Sequence, residues 1–167
     1  IFDLDGTQLA KITASDGSAL AYFGWSVAVG SGRIVVGASR EWGIGPFSYS
    51  GSAYIFDLDG NQLAKITASD AAYNNYFGWT VAVGNGKIVV GATLNGGSAY
   101  IFDLDGTFIN KITASDGPGG PGAFGQSAAV GNGRIVVGGC DPSIPGAAYI
   151  YQIEENFDVY IENIVKS

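Results

Sequence analysis

A repeat of 46 to 54 residues is the feature that most constrains the fold of this chain. The segment IFDLDGTQLAKITASD at 1–16 returns almost unchanged at 55–70 and 101–116, and AYIYQI at 148–153 begins a further copy. A second block, which begins with FGWSVAVG at Phe23, returns in similar form from Phe77 and Phe124. A period of this length is typical of propellers and solenoids, in which each repeat is one structural unit.

Each full repeat predicts four short β-strands. Strand A, Trp25–Val29, alternates apolar and small residues, whereas strand B, Ile34–Val36, is apolar on both faces, as in a strand buried between two sheets. Strand C is Ser52–Asp57 and strand D is Leu63–Ala68. Between them, Asp59-Gly60 predicts a two-residue type I′ turn, in which both residues have positive φ. Helical periodicity is absent from the repeat, so we predict β-propeller blades, with a sandwich of short strands as the alternative.

The repeats divide the chain into an array of blades and a short tail. We expect about 3.5 four-stranded blades in residues 1–153. They comprise a partial blade at 1–16 and blades at 23–70, 77–116 and 124–153. In the tail, 154–167, apolar residues at helical spacing predict an amphipathic α-helix that docks on another subunit of an oligomer. The chain begins inside a repeat and contains no Met, so we expect a longer parent and treat the blade number as a minimum.

Composition excludes several functions. The net charge of −7 disfavours nucleic acid, and no run of 18 apolar residues is present to insert into a membrane. Histidine is absent, which excludes Ser-His-Asp and Cys-His nucleophile systems and His metal sites.

Hydrolysis of a glycan needs only two carboxylates, which Glu41 with Asp141 or Asp70 could supply. We nevertheless predict a protein that is not an enzyme and needs no cofactor. The single cysteine, Cys140, is expected to be buried.

The two faces of the predicted meander differ in how much they vary. Turns A–B and C–D share one face and are nearly constant, whereas the B–C and D–A loops share the other face. The B–C loops have 13, five and seven residues in the three copies. Variable loops on a rigid scaffold are typical of binding sites, and aromatic residues beside Asn and Arg suit a sugar or a protein partner. The alternative is that these aromatics only close the mouth of the channel. The predicted ligand-binding residues are Arg40, Trp42, Phe47, Tyr49, Tyr73, Asn74, Asn75 and Tyr76.

Aspartates recur at fixed places in the repeat. Pairs in each DLDG segment could lend oxygens to a hard cation, but two side chains are too few for calcium, and we predict a role in the turn and no metal site. The pairs are Asp3 with Asp5, Asp57 with Asp59, and Asp103 with Asp105. An aspartate that follows strand D is expected to cap the next loop through bonds to its backbone. These residues are Asp16, Asp70 and Asp116.

Two short motifs resemble the FG-GAP repeat, the blade unit of the integrin α-subunit propeller. Phe77-Gly78 begins a unit and Val89-Val90-Gly91-Ala92 ends its strand B. The same two motifs occur at Phe23-Gly24 with Val35–Ala38 and, in a weaker form, at Phe124-Gly125 with Val136–Gly139. The resemblance implies a propeller with a ligand-binding face. In integrins it also implies calcium in the A–B loop, but that loop here is Gly84-Asn85-Gly86, without a carboxylate.

The near-identical copies, with their DLDG hairpins, also look similar to repeat arrays in structural proteins of marine tailed phages and in bacterial surface proteins. This resemblance implies an extracellular or virion-surface location. We therefore expect a binding scaffold that recognises a host-surface glycan or protein, with a purely structural spacer of a virion or appendage as the alternative.

Overall fold

The structure, a computed structural model, describes residues 1, 4–41, 49–70, 75–94, 96–114, 124–141 and 144–153, and its elements over these ranges are β-strands joined by turns and loops. This confirms the all-β prediction; the predicted helix at 154–167 lies outside the described residues. Over the described ranges, no helix is long and apolar enough to cross a membrane. The strands are β1 (Phe23–Gly30), β2 (Arg33–Ala38), β3 (Ser52–Phe56), β4 (Gln62–Ile66), β5 (Phe77–Gly84), β6 (Lys87–Ala92), β7 (Ser98–Asp103), β8 (Phe108–Ile112), β9 (Phe124–Gly131), β10 (Arg134–Asp141) and β11 (Ile144–Gln152).

The strands form three antiparallel sheets, in which neighbours along the chain are neighbours in the sheet. Blade 1 has the order β1-β2-β3-β4, blade 2 the order β5-β6-β7-β8, and blade 3 the order β9-β10-β11. This is the predicted meander of propeller-like blades. Before β1, the Ile1 amino group donates to the Ala10 carbonyl at 2.9 Å. Ile1 and Ala10 occupy the repeat positions of Ile55 and Ala64, which pair between β3 and β4.

The type I′ turns lie at A–B and not at C–D as predicted. In the A–B turns both central residues have positive φ, for example Asn85 at 50° and Gly86 at 72°. In the C–D turn of blade 1 only Gly60 has positive φ, at 91°. There the Gly60 N–H donates to the Asp57 carbonyl at 3.2 Å, so the reversal runs through Leu58 and Asp59, with Gly60 as a bulge.

The Asp57 side chain explains why the C–D turn takes this form. Its carboxylate accepts hydrogen bonds from the backbone N–H and from Nδ2 of Asn61, both at 2.8 Å. The Asn61 bonds also hold the pKa of Asp57 below its usual value. In blade 2, the Asp105 carboxylate accepts from the Thr107 N–H at 2.9 Å. Such side chain to backbone bonds favour a longer loop over a two-residue turn.

Adjacent blades pack face to face through strands B and C. Val35 and Ile55 of blade 1 share an apolar core with Val81, Ile88 and Val90 of blade 2. Strand A of blade 2 packs against the sheet of blade 1, and strand A of blade 3 packs against the sheet of blade 2. This explains a difference between copies: Val81 in β5 is 7% exposed, whereas its counterpart in β1, Val27, is 68% exposed.

Glycines allow the blades to interlock. A Cβ on Gly37 would stand 2.1 Å from the Gly78 carbonyl oxygen, and one on Gly91 would stand 2.1 Å from that of Gly125. Gly78 lies in a β-bulge with φ at 87°, where the register shifts between Phe77 and Thr80. The Phe-Gly dipeptide of one blade therefore packs directly against the Gly-Ala dipeptide of the preceding blade.

Asp16, which was predicted to cap its own loop, instead uses its carboxylate mainly to join the segment before β1 to blade 1. Its carboxylate accepts from the Tyr54 hydroxyl at 2.8 Å and from Lys65 Nζ at 2.6 Å. A cationic donor makes such bonds stronger than a neutral cap, which accounts for the difference. The Lys65 and Tyr54 bonds hold the pKa of Asp16 below its usual value. Burial and the bond to Asp16 raise the pKa of Tyr54 above its usual value.

Asp70 makes the same connection between blades 1 and 2. It accepts from the Tyr100 hydroxyl at 2.7 Å and from Lys111 Nζ at 2.5 Å. The Lys111 bond, opposed by burial and supported by Tyr100, lowers the pKa of Asp70. We call each such set of three residues a staple. The third predicted cap, Asp116, lies outside the described residues.

Candidate functional site

A cationic side chain surrounded by aromatic rings stands where blades 1 and 2 meet on the variable-loop face. Arg40 follows β2, and the rings come from the segments that begin β1, β3 and β5. Tyr22 and Trp25 are 40% and 49% exposed, and the other members are partly buried. We call this set the Arg40 cluster. Its members are Arg40, Tyr22, Trp25, Tyr49, Tyr76 and Trp79.

The Arg40 guanidinium lies against the faces of three tyrosines. Its Cζ is 4.7 Å from the ring centre of Tyr22, 5.9 Å from that of Tyr49 and 6.0 Å from that of Tyr76. Arg40 Nη1 also donates to the Tyr22 hydroxyl at 3.4 Å. Cation–π attraction of this kind holds the guanidinium in place between the rings.

The rings also contact each other across the blade junction. Tyr49 and Tyr76 stack with ring centres 6.0 Å apart, and Tyr76 meets Trp79 edge to face at 6.2 Å. Trp79 in turn lies 5.0 Å from Trp25, which stacks on Tyr22 at 6.0 Å. Together the rings form one continuous aromatic surface around Arg40.

Backbone hydrogen bonds fix the residues of the cluster. The Arg40 N–H donates to the Ala21 carbonyl at 3.2 Å, and the Tyr76 N–H donates to the Tyr49 carbonyl at 3.2 Å. Trp79 N–H donates to the Tyr76 carbonyl at 3.1 Å, which closes a tight turn over Phe77-Gly78. The site is therefore held by strand ends and tight turns and does not depend on long free loops.

Two tyrosines of the cluster have strained backbones. Tyr22 has φ at 57° and Tyr76 at 51°, a left-handed conformation that non-glycine residues rarely adopt. Such a residue costs of order 1–3 kcal/mol, and strain of this kind is concentrated at functional sites. Each of these tyrosines directly precedes a Phe-Gly turn, at Phe23-Gly24 and at Phe77-Gly78.

The structure brings together three of the eight predicted ligand-binding residues, Arg40, Tyr49 and Tyr76. Asn75 is instead only 5% exposed, and its Nδ2 donates to the Tyr100 hydroxyl at 3.3 Å, so it supports a staple. Four others lie outside the described residues: Trp42, Phe47, Tyr73 and Asn74.

Sequence reasoning missed three members of the cluster, Tyr22, Trp25 and Trp79. The sequence feature that could have identified them is the motif Tyr-Phe-Gly-Trp, which occurs at 22–25 and 76–79. It places an aromatic ring on each side of the Phe-Gly bulge. Trp25 was assigned to the alternation of strand A, and the β-bulge that follows Phe23 and Phe77 is not visible in that alternation.

The carboxylates considered for hydrolysis are committed to other partners. Glu41 accepts from Lys65 Nζ at 2.7 Å and from the Tyr54 hydroxyl at 3.1 Å. Asp70 belongs to the second staple, where the hydrogen bond from Lys111 lowers its pKa. The Asp141 side chain is outside the described part of the structure.

Cys140 is exposed, which corrects the expectation of a buried thiol. Its Sγ donates to Gln126 Oε1 at 2.7 Å. Both line a groove of about 460 Å³ beside Gly138 in blade 3. Gly138 holds the repeat position of Gly37 and Gly91, so this groove is the surface that the following blade covers in blades 1 and 2.

The described residues contain no group of three or more His, Cys, Asp or Glu side chains that could hold a metal ion. In the hairpins, the carboxylates of Asp57 and Asp105 bond to their own turns. The turn role predicted for these two aspartates is thus visible in their contacts; Asp3 lies outside the described residues.

The three antiparallel sheets define a repeat protein of propeller-like blades. The FG-GAP repeat model matches residues 7–56 and 61–102, more than half of the chain, and the chain belongs to the FG-GAP repeat family. A search of curated proteins found no match. Among solved structures, the chain is similar to "Europium-containing methanol dehydrogenase", with a TM-score of 0.49 and 16% identity. That likeness covers 75% of this chain and 22% of the other, so the chain spans about a fifth of its length.

Proposed function

We propose that this chain is a non-enzymatic binding scaffold and that the Arg40 cluster is its ligand site. The observation that carries the proposal is a difference between two equivalent blade junctions. At the junction of blades 2 and 3, the repeat positions of Arg40 and Trp79 hold Leu94 and Gln126. The same fold forms there without the cluster, so packing alone does not account for it.

The rigidity of the cluster supports a role in binding. Loss of side-chain and loop freedom is a main cost of association, and a site that is ordered beforehand avoids much of it. Backbone hydrogen bonds at Arg40, Tyr76 and Trp79 hold the cluster in place. Exposed Tyr and Trp rings supply a large contact area with few rotatable bonds, and Tyr, Trp and Arg are the residues most enriched at binding hot spots.

The contacts of the carboxylates favour binding over catalysis. Glu41 and Asp70 each bond to a lysine and a tyrosine, which leaves neither of them positioned as an acid and base pair at a cleft. The chain also lacks histidine. The partner that fits the exposed rings is a glycan or protein on a host surface, and the setting that fits such a scaffold is extracellular, on a cell or on a phage virion.

Binding to a glycan panel and to intact bacterial cells, measured with the labelled chain, tests this function. Tyr22→Gly and Tyr76→Gly each remove a ring while glycine tolerates the positive φ, so the fold is kept. We expect each to weaken binding by about ten-fold or more. Phe108→Ala is the matched control, because Phe108 is a 45% exposed ring on β8, outside the cluster. Equal binding by all four proteins, or no binding to any panel member or cell, would reject the proposal.

A second candidate function is a structural component of an assembly. It is favoured by the exposed apolar row of β1, where Val27 and Val29 are 68% and 70% exposed. The counterparts Val81 and Val83 pack against the preceding sheet, so the row of β1 fits another blade. Val27→Ser with Val29→Ser should reduce association of the chain in sedimentation measurements; unchanged sedimentation with a folded protein would reject this role.

A further inference from the structure

The Arg40 cluster contains its own cation. Aromatic cages in proteins commonly receive a cationic ligand, whose charge is attracted to the negative faces of the rings. In this cluster, the faces of Tyr22, Tyr49 and Tyr76 already contact the Arg40 guanidinium. A cationic ligand would have to displace Arg40 or lie beside it against like charge. The cluster therefore favours a neutral or an anionic ligand.

The charge of Arg40 is not neutralised by the acids described around it. The salt bridges among the described residues join other pairs, which involve Lys65, Lys87 and Lys111. Its neighbour in sequence, Glu41, turns to Lys65 and Tyr54. Arg40 is partly exposed. A partly exposed guanidinium of this kind, fixed by rings and without a carboxylate partner among the described residues, is suited to two parallel hydrogen bonds with an anionic group of a ligand.

We propose that the Arg40 cluster binds a saccharide that carries a carboxylate or sulfate group. The sugar ring packs its C–H face on the exposed ring of Trp25, because ring faces carry negative charge and C–H groups are weakly positive. The anionic substituent accepts hydrogen bonds from the outer edge of Arg40. This inference rests on the proposed binding function and specifies the ligand class.

Charge also decides between an acidic saccharide and an acidic peptide. The chain has a net charge of −7, so a ligand with many closely spaced charges is repelled by the protein as a whole. One anionic group on a sugar ring meets Arg40 at contact distance, while charges farther away than about 8 Å are screened at physiological salt. Exposed ring faces also match the C–H faces of sugar rings better than they match the charged side chains of an acidic peptide.

Calorimetric titration at 0.15 M salt with four probes of similar length tests the ligand class. The probes are cellotetraose, cellotetraose that carries one uronate ring, cellotetraose that carries one sulfate group, and tetraglutamate. We expect the carboxylated or the sulfated sugar to bind about ten-fold or more tightly than cellotetraose, and the stronger of the two identifies the anionic group. Arg40→Gln should remove the preference, and Arg40→Lys should retain only part of it because lysine lacks the planar fork. Arg134→Gln, which removes the same charge from an exposed site at the A–B turn of blade 3, should change nothing.

The outcomes separate this inference from the proposed function. Equal binding of cellotetraose and the acidic sugars, or an unchanged preference in Arg40→Gln, would overturn the anionic ligand while the binding function stands. Binding of tetraglutamate alone would replace the saccharide with an acidic peptide. If no probe binds but a neutral glycan of the panel does, the anionic inference alone fails. If neither probes, panel nor cells bind, both fail.

Discussion

Replacement of Gly91 by alanine tests the interlocking of the blades. The new Cβ would lie 2.1 Å from the Gly125 carbonyl oxygen, a backbone atom of blade 3 that cannot rotate away. Relief of this overlap requires the two blades to separate by roughly 1 Å, and overpacking of this severity costs about 3 kcal/mol. With a urea m-value of about 2 kcal/mol/M, the unfolding midpoint should fall by about 1.5 M.

Gly138→Ala is the matched control, because Gly138 occupies the same repeat position in blade 3. A Cβ there meets only the Ser127 Oγ closer than 3 Å, and this atom can move by side-chain rotation. We expect a loss of less than about 1 kcal/mol. Urea unfolding followed by circular dichroism measures both variants. Equal losses in Gly91→Ala and Gly138→Ala would show that the penalty belongs to the strand and not to the contact between blades.

Three further predictions concern the staples and the turns. Tyr100→Phe removes the donor to Asp70 and should lower the free energy of unfolding by about 2 kcal/mol in denaturant titrations, whereas an unchanged midpoint would contradict the staple. Acid should also destabilise the fold. The pKa values of Asp16 and Asp70 in the folded chain lie below the ordinary 3.8, so the unfolded chain binds more protons. The free energy of unfolding should therefore fall as pH drops below about 4. Replacement of both by Asn should flatten this part of the stability profile; a profile as steep as that of the wild type would refute the assignment. Ser31→Asn introduces the residue that the other A–B turns have at this positive-φ position. The free energy of unfolding should stay equal or rise by up to about 0.5 kcal/mol. A clear loss of thermal stability would contradict the turn assignment.

Much of the fold could be predicted from the sequence because the same pattern of four strands occurs in several copies of the repeat. Alternation in strand A, the apolar run in strand B and the short turns all pointed to a four-stranded meander, and the Phe-Gly and Gly-Ala motifs pointed to the FG-GAP repeat. The C–D turn was predicted wrongly because Asp59-Gly60 is also compatible with a type I turn and a bulge. The side chain of Asp57 decides between the two, and its bonds depend on atoms that a local pattern does not place.

The candidate site was predictable only in part, because its members meet across a junction between two blades. Arg40, Tyr49 and Tyr76 were found from loop variability, which is a property of the sequence. The roles of Asp16 and Asn75 were not predicted, because their hydrogen-bond partners, Tyr54 and Tyr100, lie on the next blade. Which residue of one blade faces which residue of the next depends on the packing between sheets, and the period of the repeat does not contain that information.

Chemical-shift mapping of the labelled chain with the panel glycan that binds most tightly tests the central claim, that ligands bind at the variable-loop face through the Arg40 cluster. We predict shifts in the indole N–H signals of Trp25 and Trp79 and in the Arg40 side chain, with no change at the A–B turn glycines Gly32 and Gly86. Shifts confined to the A–B turns, with the cluster signals unmoved, would contradict the account.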